Sequence, residues 1–287
     1  MMAQRRTDLA LEAHEAWGGG TLPGAEKRTR RVRGFAVTEV RVTGGAAARA
    51  LGKPPGAYVT VELDAARHDT ADAARTVGEE LRRLLGAARS ALVVGLGNAA
   101  MTPDAVGPLA AEHVLVTRHL RDNPAFASFA PVSVLTPGVL GRTGLEAAET
   151  IRGAVAAAKP DAVIAVDALA SRSLSRLCGT VQLSDAGIVP GSGVGNRRAA
   201  LNRETLGVPV IAVGVPTVVD AATLALDVLD EAGATIDDPA ALRGHEGVFV
   251  TTRDIDAQIR ALARVIGCGV NLALQPIGYE ELCELME

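Results

Sequence analysis

Aromatic side chains are scarce in this chain: 2% of 287 residues, amounting to four Phe, two Tyr and one Trp. The core must therefore be built from Ala, Val and Leu, and nucleic-acid binding by base stacking on exposed rings is poorly supported. Cysteine is also sparse. Cys178, Cys268 and Cys283 lie far apart with no Cys-x-x-Cys, so neither a disulfide framework nor a zinc ribbon is expected. This usage fits a reducing, intracellular compartment. No run approaches the roughly 18 apolar residues of a membrane span, and Met1-Met-Ala-Gln-Arg-Arg-Thr-Asp8 lacks the apolar centre of a signal peptide. The expectation is a cytoplasmic protein with no membrane partner. Excess positive charge is absent too: the net charge is −4, which argues against general DNA affinity. Arg28, Arg30, Arg31 and Arg33 read as a solvated face. The five histidines fall in no HExxH or other close ligand spacing, and no Gly-x-Ser-x-Gly elbow occurs.

Apolar residues, by contrast, are abundant at 48%, ample for one large domain or a domain with a small appendage. Residues 1–25 are polar and broken by Gly18-Gly-Gly20, and read as an arm or residual prosegment ahead of a single α/β domain over 26–287. Alternation predicts strands at Phe35–Val42 and Ala57–Leu63, able to pair around a short helix over 46–51. Helical periodicity follows over 69–88. Further strands are expected at 92–96, 132–135, 162–166, 180–183 and 210–213. Helices are expected at 105–120, from Thr143 (opening a Thr-Gly-Leu-Glu146 capping box) to about Lys159 before Pro160, at 197–206 ending on Gly207, at 218–232 and at 254–274. Strands separated by helices imply a doubly wound, mostly parallel sheet with a small N-terminal β-containing extension. In flavodoxin-like winding, the strands at Leu92 and Ala162 become neighbours, with a switch point between them.

Two acids converge there if that order holds. Leu92-Val-Val-Gly-Leu-Gly-Asn98 turns through Gly97 and Asn98 and delivers Asp104 from Thr102-Pro-Asp104 to the start of a helix. An Asp at that point is also a good N-cap, worth about 1 kcal/mol. Asp161-Ala-Val-Ile-Ala-Val-Asp167 brings a second acid to a second strand end, where a buried unpaired charge would be costly. Arg172 is placed either to hold Asp167 ionised, to bind a substrate carboxylate, or simply to be solvated. Asp185 through Gly191, Gly193 and Asn196 form a glycine-rich loop whose amides suit a groove or an anion site. Gly95-Leu-Gly97-Asn-Ala-Ala100 also fits the dinucleotide pattern, but Pro103 interrupts the phosphate helix. In addition, the next strand ends in Thr136-Pro137 without a ribose-binding acid, and Asp104 would face the pyrophosphate. Two adjoining carboxylates cannot easily both ionise, so their acid and base roles separate. Water activation by such a pair is the chemistry these residues suit best.

At these positions the chain resembles the germination proteases of spore-forming bacteria. The matching blocks are Arg6-Thr-Asp-Leu-Ala10, Leu92 to Asn98, Thr102-Pro-Asp-Ala105 with Gly107-Pro108, Leu115 to Leu120, Pro137 to Gly141, Asp167-Ala-Leu-Ala-Ser-Arg172, Pro190-Gly-Ser-Gly-Val-Gly-Asn-Arg197, Glu204 to Gly207 and Gly214 to Ala221. The resemblance implies an aspartic-type endopeptidase that degrades small acid-soluble spore proteins during germination in the spore core. It further implies a homotetramer made as a zymogen, and its essential aspartates fall on Asp104 and Asp167. It also implies a fold similar to hydrogenase maturation endopeptidases, in which acids at corresponding strand ends bind a metal together with a histidine. No matching histidine block occurs here, so neither metal nor cofactor is expected. Two departures stand out: only Met1 to Arg5 precede the first block, and the insertion before the last helix is shortened to about 233–247.

Overall fold

β-Branched runs bounded by glycine and proline form the strands, and the Ala/Leu-rich segments between them form the covering helices. The computed structural model describes residues 7–17, 22–63, 70–192, 198–234 and 247–286. Within them the strands are β1 (Ala25–Val32), β2 (Phe35–Val42), β3 (Gly56–Glu62), β4 (Ala91–Gly95), β5 (Val132–Leu135), β6 (Ala162–Ser171), β7 (Thr180–Ser184), β8 (Val210–Asp220) and β9 (Phe249–Val250). The α-helices are α1 (Ala10–Ala16), α2 (Gly45–Leu51), α3 (Thr70–Leu85), α4 (Val106–Glu112), α5 (Leu140–Thr143), α6 (Ala147–Ala158), α7 (Arg203–Leu206), α8 (Ala221–Glu231), α9 (Ile255–Leu274) and α10 (Tyr279–Met286).

The strands form one nine-stranded sheet in the order β1-β2-β3-β7-β8-β6-β4-β5, with β9 beside β8. β5, β4, β6 and β8 run parallel, and β7, β3, β2 and β1 extend the sheet with antiparallel pairings. The expected neighbourhood of the first and third parallel strands is therefore present, with Leu92 opposite Val163 and Gly95 opposite Val166. Successive side chains point to opposite faces. Val93, Ile164, Val166, Ile211 and Val213 pack toward α3, α4 and α9, while Leu92, Val94, Val163, Ala165 and Val210 pack toward α6 and α7. Each such Val, Leu or Ile, fully buried, contributes about 1.5–3 kcal/mol. α9 is long and apolar enough to cross a membrane by composition, yet most of it is buried in this core.

Several departures from the expected elements follow from contacts distant in sequence, others from local capping. β6 does not stop at Val166 but continues to Ser171, because β8 runs alongside it to Asp220. α8 consequently starts at Ala221, not Val218, with the Asp220 carboxylate accepting from Thr223 N–H at 2.9 Å. α4 ends at Glu112, where Asn271 of α9 intervenes: its amide donates to His113 C=O at 2.8 Å and accepts from Leu115 N–H at 2.9 Å. α7 cannot begin near residue 198 because Leu201 is bridged to Ile188 in both directions, so Asn202 becomes its cap; Arg197 lies outside the described residues. The Thr143 cap is displaced as well. Gly144, at φ +72°, closes α5, and the capping box of α6 uses Glu146 and Glu149. Lys159 then ends α6 ahead of Pro160, as anticipated.

The segment expected as an arm is partly built in. Leu9, Ala10 and Leu11 are buried, and α1 joins a small core with β2, β3 and α2. Arg28, Arg30 and Arg31 lie exposed on the edge strand β1. Arg33 follows it, with a two-pronged ion pair to Glu79.

Candidate active site

Asp167 does not stand at the end of its own strand. It stands where β4 ends while β6 continues, so one edge of β6 is uncovered beside it. Only 5% of Asp167 is exposed. Its Oδ1 accepts from the adjoining Ala168 N–H at 3.0 Å. Burial holds its carboxyl well above the usual carboxylate range, and the nearby charges of Asp104 and Asp8 push the same way.

Asp104 arrives from the other side of the switch point in a 3₁₀ turn, Thr102–Asp104, that packs against β6, β8 and α9. Asn98 N–H donates to both its side-chain Oδ2, at 2.8 Å, and its own carbonyl, at 3.1 Å. Asp104 is half-buried, and desolvation raises its pKa, opposed by the Asn98 hydrogen bond. The chain makes this approach possible by omitting side chains. Gly97 adopts φ +112°, and a Cβ there would lie 2.1 Å from Asp104 C=O. At Gly107 a Cβ would lie 2.5 Å from Val166 C=O, so α4 presses onto β6 one residue before Asp167.

The remaining expected site residues separate. Asn98 and Gly97 belong to the Asp104 turn. The Gly191 turn (φ +72°) places Ser192, whose hydroxyl donates to Asp8 Oδ1 at 2.7 Å. Gly193 lies outside the described residues. Arg172 is directed away from Asp167: its guanidinium Nε donates to both carboxylate oxygens of Asp227 in α8 at 2.9 Å. Asp185 accepts from Ala57 N–H at 2.7 Å and joins β7 to β3. The Cys178 thiol is pushed up to about 11 by burial, which keeps it protonated at neutral pH. Among the described residues, no three His, Cys, Asp or Glu side chains are grouped as a metal site.

Two residues at the site went unassigned from sequence. Asp8 docks on the uncovered edge of β6: its N–H donates to Ala170 C=O at 2.8 Å, and its Oδ2 accepts from Ala170 N–H at 2.9 Å. The only sequence signal was its place in the Arg6 to Ala10 block. Arg142 of α5 reaches Asn98 Oδ1 at 3.3 Å and sets a cation at the rim. Nothing in the local pattern around Gly141 marked it.

The germination protease family matches residues 9–233. The germination protease of Caldanaerobacter subterraneus subsp. tengcongensis is 40% identical, covering 94% of this chain and 94% of its own length. That of Clostridium tetani is 41% identical over 94% of this chain and 95% of its own. A Bacillus cereus germination protease is 45% identical over 78% of this chain and 66% of its own length. Among solved structures, a [NiFe] hydrogenase maturation protease, HycI from Thermococcus kodakarensis KOD1, is similar at 21% identity and a TM-score of 0.39, covering 67% of this chain and 99% of its own. With the family matched from the N-terminal helix through α8, and relatives of 40–45% identity over most of the sequence, the chain belongs to the germination protease family.

Proposed function

We propose that this protein is an aspartic-type endopeptidase that initiates the degradation of small acid-soluble spore proteins during germination, with Asp104 and Asp167 activating water. The observation that carries this reading is the unequal burial of two interacting carboxyls at one sheet edge. Asp167, enclosed and facing two other acids, retains its proton. Asp104, half-buried and receiving an N–H, is the more readily ionised member. Asp104 is then the base. It removes a proton from a water held between the pair, and the oxygen bonds to the scissile carbonyl carbon. Asp167 gives its proton to the carbonyl oxygen, which leaves a neutral tetrahedral diol. When the C–N bond breaks, Asp104 returns its proton to the departing nitrogen and Asp167 recovers one from the diol. Each group contributes about 10²–10⁴-fold as a positioned acid or base. For assembly we adopt the family's homotetramer.

The test is cleavage of a purified small acid-soluble spore protein by Asp104→Asn and Asp167→Asn. Each should lose about 10³-fold or more in kcat, given general acid and base contributions of that order. Near-normal cleavage by either refutes the pair. Exhaustive chelation should leave the wild type active; activity lost and then restored by zinc or nickel would favour a metal-dependent endopeptidase at the same site.

A further inference from the structure

We infer that Asp256, at the start of α9, is a positioning residue: with Thr102 it completes a strut that sets the spacing between Asp104 and Asp167. The inference rests on the proposed carboxyl pair. Within the turn that carries Asp104, the bonds are local, from Asp104 N–H to Met101 C=O and from Ala105 N–H to Thr102 C=O. Among the described residues, one bond joins it side chain to side chain with a distant element. Thr102 Oγ1 donates to Asp256 Oδ1 at 2.8 Å, across 154 positions of sequence.

The other end of the strut is anchored on β8, three residues beyond Gly214, the residue that pairs with Asp167. β6 and β8 change register between Leu169 and Ala170, which face Pro216 and Val218, so Thr217 has no partner on β6. Its freed carbonyl accepts from Thr251 Oγ1 at 2.7 Å. Val250 pairs with Val219 just before, and Thr252 Oγ1 donates to Gln258 Oε1 at 2.6 Å just after, stapling the turn into α9. Phe249 to Asp256 thus runs from the strand that holds Gly214 opposite Asp167 to the turn that holds Asp104. α9 draws no side-chain cap from Asp254. A catalytic pair displaced by about 1 Å can lose about 10²-fold in rate, so a contact that fixes this distance acts on turnover.

Asp256→Ala should lower kcat about tenfold or more with KM changed less than about twofold. Asp256→Asn retains an acceptor oxygen and should recover to within about threefold of wild type. Thr102→Val should match Asp256→Ala, Thr102→Ser should stay near wild type, and the double variant Thr102→Val/Asp256→Ala should be no slower than either single one. The acid limb of the kcat profile should move to lower pH in Asp256→Ala, because a released Asp104 becomes better hydrated and loses the desolvation that raises it. A merely structural role would reduce the amount of folded enzyme without moving that limb. Turnover of Asp256→Ala within twofold of wild type, equal losses in Asp256→Ala and Asp256→Asn, or additive losses in the double variant would overturn the inference. Should Asp256→Ala fail to fold, the near-isosteric Thr102→Val carries the same test. An inactive Asp104→Asn beside a fully active Asp256→Ala removes only the strut, whereas an active Asp104→Asn removes the carboxyl pair and the strut with it.

Discussion

Replacing Gly97 with alanine is the smallest change that should disable the site while leaving both acids in place. The added Cβ would stand 2.1 Å from Asp104 C=O and 3.0 Å from Asp104 Oδ1, where ordinary contact begins at 3.4 Å. The carbonyl must therefore retreat by about 1 Å, and the Asn98 bonds that orient the carboxylate go with it; a displacement of that size is worth about 10²-fold in rate. The φ of +112° adds about 1–3 kcal/mol of backbone strain for any residue with a Cβ. With about 2–4 °C in Tm per kcal/mol for a chain of this size class, the melting temperature should fall by roughly 2–12 °C. The protein should remain folded at 25 °C. The assay is kcat for spore-protein cleavage, with Tm by circular dichroism on the same preparation. Gly141→Ala is the control, since nothing lies within 4 Å of a Cβ there. A Gly97→Ala enzyme with kcat within threefold of wild type would show that Asp104 is not held by this turn, and the geometric argument would fail.

Stability should respond to Asp167 in a pH-dependent way. Its folded pKa is raised, so between its unfolded value, near ~4, and its folded value the native state binds the extra proton, and stability falls as pH rises through that window. Asp167→Asn removes the penalty: its Tm should exceed the wild type's by a margin that grows from about pH 4 upward and is absent below. A margin independent of pH would contradict the assignment. Arg172→Met breaks the pair with Asp227, whose side chains are 26% and 19% exposed, so its effect should be limited to about 1 kcal/mol and a few degrees of Tm. The pH profile of cleavage should stay unchanged, and a moved profile would return Arg172 to the catalytic centre.

What was readable from sequence was local. β2 and β5 lie where alternation and apolar runs put them, and α9 begins within a residue of its expected start. The neighbourhood of β4 and β6 followed from taking the helix-separated strands as flavodoxin-like winding. Asp104 and Asp167 stood out because acids are rare next to such apolar strands. The overrun of β6 was invisible because Ala168-Leu-Ala-Ser171 carries no strand pattern of its own; pairing with Val215 to Val219 makes it a strand. The end of α4 depends on Asn271, and the partner of Arg172 is Asp227, neither of which local periodicity can signal. Asp8 was hidden for the same reason: its role arises from docking on Ala170.

The outer strand of the sheet limits how copies of this protein can meet. β1 exposes Glu26 through Arg31 along an open backbone edge, the kind of edge that recruits another strand. Two copies joined antiparallel with Thr29 at the two-fold would set Arg28 against Arg30 and Lys27 against Arg31, cation against cation, with Glu26 meeting Val32 beyond them. Like charges directly opposite each other oppose a ribbon in that register.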